Sequence, residues 1–338
     1  MARARGTGPS QADLAAELNL SVSTVSRALS NAPGISDDVR YRVSQAALRL
    51  GYRTRDAALR SAFGRIVVMA TLYDVNSTLS WVYQEMLEGI TLGARQGGIA
   101  VECHMTTEIE RLPSDLDPAT GLVFLGIVPD EATIDWLVQR DIASIIVNGV
   151  DPTLRVDSVS PANYFGGRLV AEYLTRLGHR KAAFVGGTSR WTLVRRFHGF
   201  RDALGDFRGD DDGVVDVLHL HSDITQRHID RLREWLPTVL DEATALFCYN
   251  DSIAISAIEA LTSLGRSVPD DVSVVGFDDM PMATMTTPKL TTFRIDWRGI
   301  GSDAVHHLRQ RRARPEGAAR ELQIGGQLVE RQSTAFRN

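Results

Sequence analysis

The sequence predicts a small N-terminal all-α headpiece of helix-turn-helix type, joined to a larger two-lobed α/β domain with two doubly wound parallel sheets. Three observations lead there. Short amphipathic helical segments crowd into the first 53 residues, and from residue 65 onward apolar runs of strand length alternate with helical stretches. The charge also changes sign between the two parts. Residues 1–65 carry ten Arg and five acidic residues, a net +5, so that with an overall charge of −5 the remainder carries −10. The basic part suits a polyanion, and the acidic remainder suits a small non-nucleic partner. At 338 residues the chain exceeds one ordinary domain, and 43% hydrophobic with 23% charged residues is a globular composition.

In the headpiece, Leu14, Ala15 and Leu18 recur at helical spacing behind Ser10, which can cap the helix start. Asn19-Leu20 form a tight turn, and Ser21 is placed to cap a second helix, Val22 to Leu29, whose inward positions are Val25, Ala28 and Leu29. Ser23, Thr24, Ser26 and Arg27 face outward. A third helix from Ser36 turns Val39, Val43, Ala46, Ala47 and Leu50 inward and stops at Gly51. Two short helices with a tight connection, the second bearing small hydroxyls and one Arg, meet the requirement for insertion into the DNA major groove. Val22 can meet a thymine methyl, Ser23 a base edge, and Arg27 a guanine or a phosphate. The plainer reading of the same pattern is a helical hairpin that only packs on its neighbour.

In the larger domain the strands Ile66–Ala70, Gly121–Leu125, Ile145–Asn148, Ala182–Val185, Ala245–Cys248 and Val272–Phe277 alternate with helices at 83–96, 130–139, 166–177, 195–204 and 251–264. This alternation is that of parallel doubly wound sheets, in which ligands bind beyond the carboxyl ends of the strands. Three polar positions follow strands: Asn250-Asp251, Asp278-Asp279, and Arg196 beyond Gly186-Gly187. An amide, a carboxylate and a guanidinium converging on one cleft would suit a polyhydroxylated or purine-like ligand. Each also has a plainer role, since an Asp beside a helix start caps it and an Arg can form a surface ion pair.

Cys103 and Cys248 lie far apart in strand-like stretches, which points to buried inert thiols in a reducing compartment rather than to a disulfide framework. The N-terminal stretch lacks the apolar segment of a secretory signal, and no run approaches the length of a membrane span. A cytoplasmic protein without a membrane partner is expected. Enzyme chemistry is not expected either: no G-x-G-x-x-G opens the first strand-helix unit and no G-x-S-x-G elbow occurs. The histidines show no metal spacing, with His306-His307 adjacent on a helix and His219 and His221 alternating on a strand without a third ligand. No metal and no cofactor are expected.

The run Asp13–Ser30, Pro33-Gly-Ile-Ser36 and Leu50-Gly-Tyr-Arg53 closely resemble the headpiece of the lactose-repressor/galactose-repressor (LacI/GalR) family. Val272–Asp279, Leu290-Thr-Thr292, Arg196-x-x-Gly-Phe200 and Tyr249-Asn-Asp251 resemble its sensor domain, so the resemblance covers nearly the whole chain. It implies a periplasmic-binding-protein-like sensor fold, with a helix-turn-helix domain at 8–53, a hinge at 54–63 and an effector-binding and dimerisation domain at 64–338. Within the last, the N-lobe is expected at about 64–160 and 293–320, and the C-lobe at about 161–292 and 321–338.

The resemblance further implies Val22, Ser23 and Arg27 in the major groove, Ser10, Thr24 and Ser26 on phosphates, and effector contacts at Arg196, Asn250 and Asp278. Arg190 and Thr192 would flank the same wall, and Trp81, Tyr83, Phe165 and Ile224 would supply apolar faces. The sequence departs from the family in two places. Thr54 and Arg55 replace the usual Pro-Asn of the hinge, and the expected wedge leucine falls on Ser61, so that Leu59 would have to take its place and Arg55 would hold phosphate. Ala162 replaces the Asp that usually precedes Asn163.

The implied function is that of a sequence-specific transcriptional regulator, a repressor, that binds a palindromic operator as a homodimer under the allosteric control of a small effector. A sugar or sugar derivative is the first expectation for that effector and a nucleobase the second. Induction and corepression are both compatible with the sequence. The 83–96 helix is expected to supply the dimer contact, and the absence of a leucine-heptad tail argues against a tetramer.

Overall fold

The computed structural model describes residues 9–29, 34–50, 52, 63–71, 80–106, 112–186, 190–206, 213–220 and 225–337. The chain divides into two compact units, Met1–Ala62 and Phe63–Asn338.

The first unit holds three helices, α1 (Gln11–Leu18), α2 (Val22–Leu29) and α3 (Asp37–Leu50). Ser10 starts α1 with a reciprocal box: the Asp13 N–H donates to its hydroxyl oxygen at 3.3 Å, and its own N–H and O–H donate to the Asp13 carboxylate at 2.7 Å. Those bonds hold the Asp13 carboxyl below its ordinary pKa. Asn19 closes the helix in the left-handed region with φ 54°, which turns the chain toward α2. The Ser21 hydroxyl accepts from the Thr24 N–H at 3.0 Å and caps α2. Leu14, Ala15, Val25, Ala28, Val43, Ala46 and Ala47 are buried together, with Leu18, Leu29 and Val39 partly buried around them. Leu50, expected inward, is 38% exposed instead. It is the last residue of a 14-residue helix packed against two eight-residue ones, so it extends past them.

The second unit contains two six-stranded sheets. The first combines β1 (Arg65–Thr71), β2 (Ala100–Thr106), β3 (Thr120–Leu125), β4 (Ser144–Val147), β5 (Asp157–Pro161) and β11 (Glu321–Ile324) in the order β11-β5-β4-β3-β1-β2, all parallel. The second combines β6 (Ala182–Gly186), β7 (Val214–His219), β8 (Ala245–Cys248), β9 (Ser273–Asp278), β10 (Thr291–Arg294) and β12 (Gln327–Val329) in the order β12-β10-β9-β8-β6-β7. Only the β10–β12 pair in it is antiparallel. Central strands such as β3, β4, β6 and β8 are buried throughout, because helices cover both faces of a parallel sheet. Helices α4 (Ser80–Arg95), α5 (Glu131–Gln139) and α10 (Trp297–Ala313) serve the first lobe. Helices α6 (Asn163–Arg176), α7 (Trp191–Asp206), α8 (Thr225–Val239) and α9 (Asp251–Ser263) serve the second.

Two expectations need correction. Residues 321–324 belong to the first sheet as β11, so the last return to the second lobe falls after Ile324 rather than at 320, and β10 keeps 291–294 in the second lobe. The sequence hides β11 because Glu-Leu-Gln-Ile at a sheet edge lacks the apolar run of a central strand. Cys103 is exposed on the edge strand β2, whereas Cys248 is buried in β8. Full burial pushes the Cys248 thiol up from its ordinary value, and desolvation by its strand neighbours raises that of Cys103 as well. His219 ends β7, and His221 lies outside the described residues.

The C-terminal segment is fastened to the second lobe by side-chain and backbone hydrogen bonds. Ser333 donates to the Val274 carbonyl at 2.6 Å and accepts from the Thr291 N–H at 2.8 Å, and the Arg337 N–H reaches the Leu177 carbonyl at 2.7 Å. Buried His179 donates from Nε2 to the Ala335 carbonyl at 3.2 Å, while its Nδ1 lies 2.8 Å from the Thr244 hydroxyl. Burial lowers its pKa below the ordinary value of 6.5. The unfolded chain therefore takes up this proton at a higher pH than the folded one, and the contribution of neutral His179 to stability is lost as pH falls below about 6.5. Between pH 7 and pH 5 the urea unfolding midpoint of the parent should therefore shift further toward lower urea than that of His179→Asn, which has lower overall stability; identical pH dependence in the two proteins would show that His179 carries no such term.

Candidate functional site

Two regions gather the side chains singled out by sequence. On α2 the inward positions Val25 and Ala28 leave Val22, Ser23, Ser26 and Arg27 exposed, with Val22 at 47%. Val22 and these polar side chains together make up the outward face of α2. Thr24 is partly buried, and its hydroxyl lies 2.8 Å from that of Ser21. The Ser10 hydroxyl, expected on phosphate, is engaged by Asp13 as the helix cap. Arg55, Leu59, Thr54 and Ser61 lie outside the described residues.

The second region lies at the carboxyl ends of the strands of the second lobe. Helices α6 and α7 cross there closely enough that a Cβ on Gly167 would lie 2.0 Å from the Arg196 carbonyl, and one on Gly199 would lie 1.8 Å from that of Tyr164. Only glycines permit this approach. It brings Arg196, on α7, to the first residue of α6, where the Asn163 side-chain oxygen accepts from Arg196 Nε at 3.1 Å and from Nη2 at 2.7 Å. Arg196 Nη1 donates to the Tyr249 carbonyl, and the guanidinium lies 3.4 Å above the centroid of Phe277. The surface ion-pair alternative for Arg196 is thereby ruled out, since the residue is only 4% exposed.

A buried guanidinium requires compensating charge. Burial lowers Arg196 to about 10, with the neighbouring Asp278 and Asp251 opposing the shift. Burial raises Asp278 well above the ordinary carboxylate range, against the pull of Arg196. It also raises Asp251 to about 7, against hydrogen bonds from the Thr292 hydroxyl at 2.5 Å and the Met280 N–H at 2.6 Å. Asp278 follows directly on the core residue Phe277, with φ at 109°, and no described residue hydrogen-bonds its carboxyl group. Asn250 caps α9 through its side-chain oxygen, which accepts from the Ile253 N–H at 2.9 Å. Its Nδ2 is buried with no partner. A buried amide donor left without a partner is costly unless another group completes it.

Thr192 is buried one helical turn before Arg196 and shares its side of α7. Arg190 donates to the Tyr83 hydroxyl at 2.7 Å, so Tyr83 is buried in the first lobe with its polar end directed at the second. Trp81 is partly buried against the core, Phe165 is exposed near the start of α6, and Ile224 lies outside the described residues. Asp251 was singled out beside Asn250 in the sequence, whereas Asn163 and Phe277, which contact Arg196, and Thr292, which donates to Asp251, were given no role there. The aromatic immediately before Asp278 was the one visible sign.

Among the described residues no helix is long and apolar enough to cross a membrane, and no group of side chains could hold a metal ion. The family description "Bacterial regulatory proteins, lacI family" matches residues 12–55, and "Periplasmic binding protein-like domain" matches residues 171–334. The HTH-type transcriptional regulator MalR of Streptomyces coelicolor is 30% identical over 336 residues, covering 96% of each chain. A further HTH-type regulator, from the aml 5′ region of Streptomyces limosus, is 29% identical over 97% of this chain and 95% of its own. Among solved structures, the regulator CelR in complex with cellobiose superposes with a TM-score of 0.69 at 22% identity, over 96% of this chain and 99% of its own. The Lac repressor dimer bound to operator and an anti-inducer gives 0.66 at 22%, over 97% and 100%. These two likenesses establish the fold. A full-length relative at this identity, with the match to the headpiece, establishes the family, which is one of regulators and not of enzymes: the chain belongs to the lacI family of bacterial regulatory proteins.

Proposed function

We propose that the chain is a cytoplasmic transcriptional repressor that binds a palindromic operator as a homodimer and is controlled by a small polyhydroxylated effector, a sugar or sugar derivative. The observation that carries the DNA half is the single outward face of α2. Val22, Ser23 and Arg27 supply an apolar contact, a small donor and acceptor, and a long cation at spacings that can follow base edges, with Ser26 beside them for phosphate. Dimerisation fits the outer side of α4, where Gln84, Glu88 and Leu92 are exposed at successive turns, together with the exposed edge strand β2. The inner side of α4 is taken by α10 of the same chain.

The effector half rests on Asn250, Asp278 and Arg196. A donor without a partner, a carboxyl group and a buried cation within one cleft match adjacent hydroxyls, which donate to the acid and accept from the amide and guanidinium. Phe165, at 58% exposed, offers a face for the apolar side of a sugar ring, and Thr192 adds a hydroxyl. A nucleobase, the second class, would use the same aromatic face. The effector acts through its different affinity for DNA-competent and DNA-incompetent arrangements. The name of the CelR complex records cellobiose in one such fold, and a panel of mono- and disaccharides beside free nucleobases, titrated against thermal stability, separates the two classes.

Arg27→Ala should cost about 1–3 kcal/mol against the preferred operator while leaving binding to random duplex nearly unchanged. An equal loss on all sequences, in a fluorescence anisotropy titration, would assign Arg27 to phosphate only. Asp278→Asn should leave operator affinity without effector within about twofold and abolish both the effector response and the effector-induced rise in melting temperature. A retained response would remove Asp278 from the site.

A further inference from the structure

Helix α7 presents two adjacent arginines to different surroundings. Arg196 turns into the second lobe with Thr192, one helical turn earlier, on its own side. Arg195 stands about 100° round the helix from Arg196. Its guanidinium lies 5.6 Å from the ring of Trp191, one turn earlier, and it forms a two-pronged ion pair with Glu321. Nη1 meets Oε1, and Nη2 meets Oε2 at 3.2 Å. Glu321 opens β11 and therefore belongs to the sheet of the first lobe, so this ion pair joins the lobes. The side chains are 28% and 16% exposed, which takes the pair out of the class of freely hydrated surface bridges, and the paired geometry is the strong form of Arg–carboxylate contact. Gln323 donates to the same carboxylate at 2.9 Å and fixes it further. Five residues before Arg195, Arg190 makes a second bridge to the first lobe through the Tyr83 hydroxyl.

We propose that the Arg195–Glu321 pair, seconded by Arg190–Tyr83, is a latch that holds the first lobe against the leading turns of α7, which makes Arg195 a positioning residue for Thr192 and Arg196. The latch sets how much of the protein has its cleft assembled before any effector arrives, and the apparent affinity for effector scales with that fraction. This role rests on reading the cleft as the effector site. The latch itself can be examined without a ligand.

Spin labels at Gln139→Cys on α5 and Glu259→Cys on α9, both exposed, would report the separation of the lobes by pulsed electron resonance in a Cys103→Ser background, with Cys248 left buried. Glu321→Gln and Arg195→Gln should each move the ratio of separated to latched molecules about fivefold or more toward longer distances. The exchange Arg195→Glu with Glu321→Arg should return the distribution toward that of the parent. Melting of the isosteric Glu321→Gln protein reports whether it is folded. Unchanged distances in both single variants, or an exchange that behaves as the sum of the two losses, would overturn the latch. Because no effector enters the experiment, such a result would leave the reading of Asp278 and Asn250 standing, whereas a retained effector response in Asp278→Asn would overturn that reading and leave the latch.

Discussion

A guanidinium taken out of water has to be hydrogen-bonded and neutralised, and the second lobe is organised around that requirement at Arg196. The glycines that let α6 and α7 touch bring Asn163 to it, the end of β8 supplies the Tyr249 carbonyl, and the end of β9 supplies the Phe277 ring and the Asp278 charge. Three elements thus converge on the cation that α7 carries, at the strand ends where doubly wound folds bind ligands. Removing Arg196 would leave Asp278 without the one cation that opposes the rise of its pKa. On the proposed reading of this region as an effector site, the hydrogen-bonding capacity left at the Asn250 amide and the Asp278 carboxyl group would suit a neutral ligand rich in hydroxyls.

The two units divide the work by charge as well as by fold. The headpiece is basic and small, and its core of Leu14, Val25, Val43 and a few alanines exists to present α2. The sensor is acidic and large, with apolar residues covering both faces of its central strands. An overall negative charge is therefore compatible with DNA binding, since the potential felt by the duplex is that of the headpiece.

The fold was readable where burial forces a pattern. Central strands such as Gly121–Leu125 and Ala245–Cys248 stand out because both of their faces are covered, and the helix starts at Ser10, Ser21 and Asn250 carry residues suited to capping, each of which does cap. Edge elements were not readable. Glu321–Ile324 and Gln327–Val329 have mixed polarity because half their surface meets water, which also moved the expected lobe boundary. Leu50 and Cys103 were expected in cores because each looks apolar in sequence, and each lies at an end or an edge. In the cleft, Arg196, Asn250 and Asp278 could be picked from sequence because they follow strands, and the structure brings Arg196 and Asp278 together there. Asn163, which holds Arg196, and Thr292, which holds Asp251, depend on a helix crossing and a sheet register that no local pattern reveals.

On the proposed function, an exposed face of α2 reads one DNA sequence while effector binding in the second unit controls how firmly it does so. The most direct test is to incubate the purified full-length protein with sheared genomic DNA at moderate salt and sequence what it retains. The expected outcome is a small set of fragments sharing a near-palindromic site, with enrichment that changes when candidate sugars are added. Retention in proportion to fragment length, with no shared site and no response to any sugar or nucleobase, would contradict it.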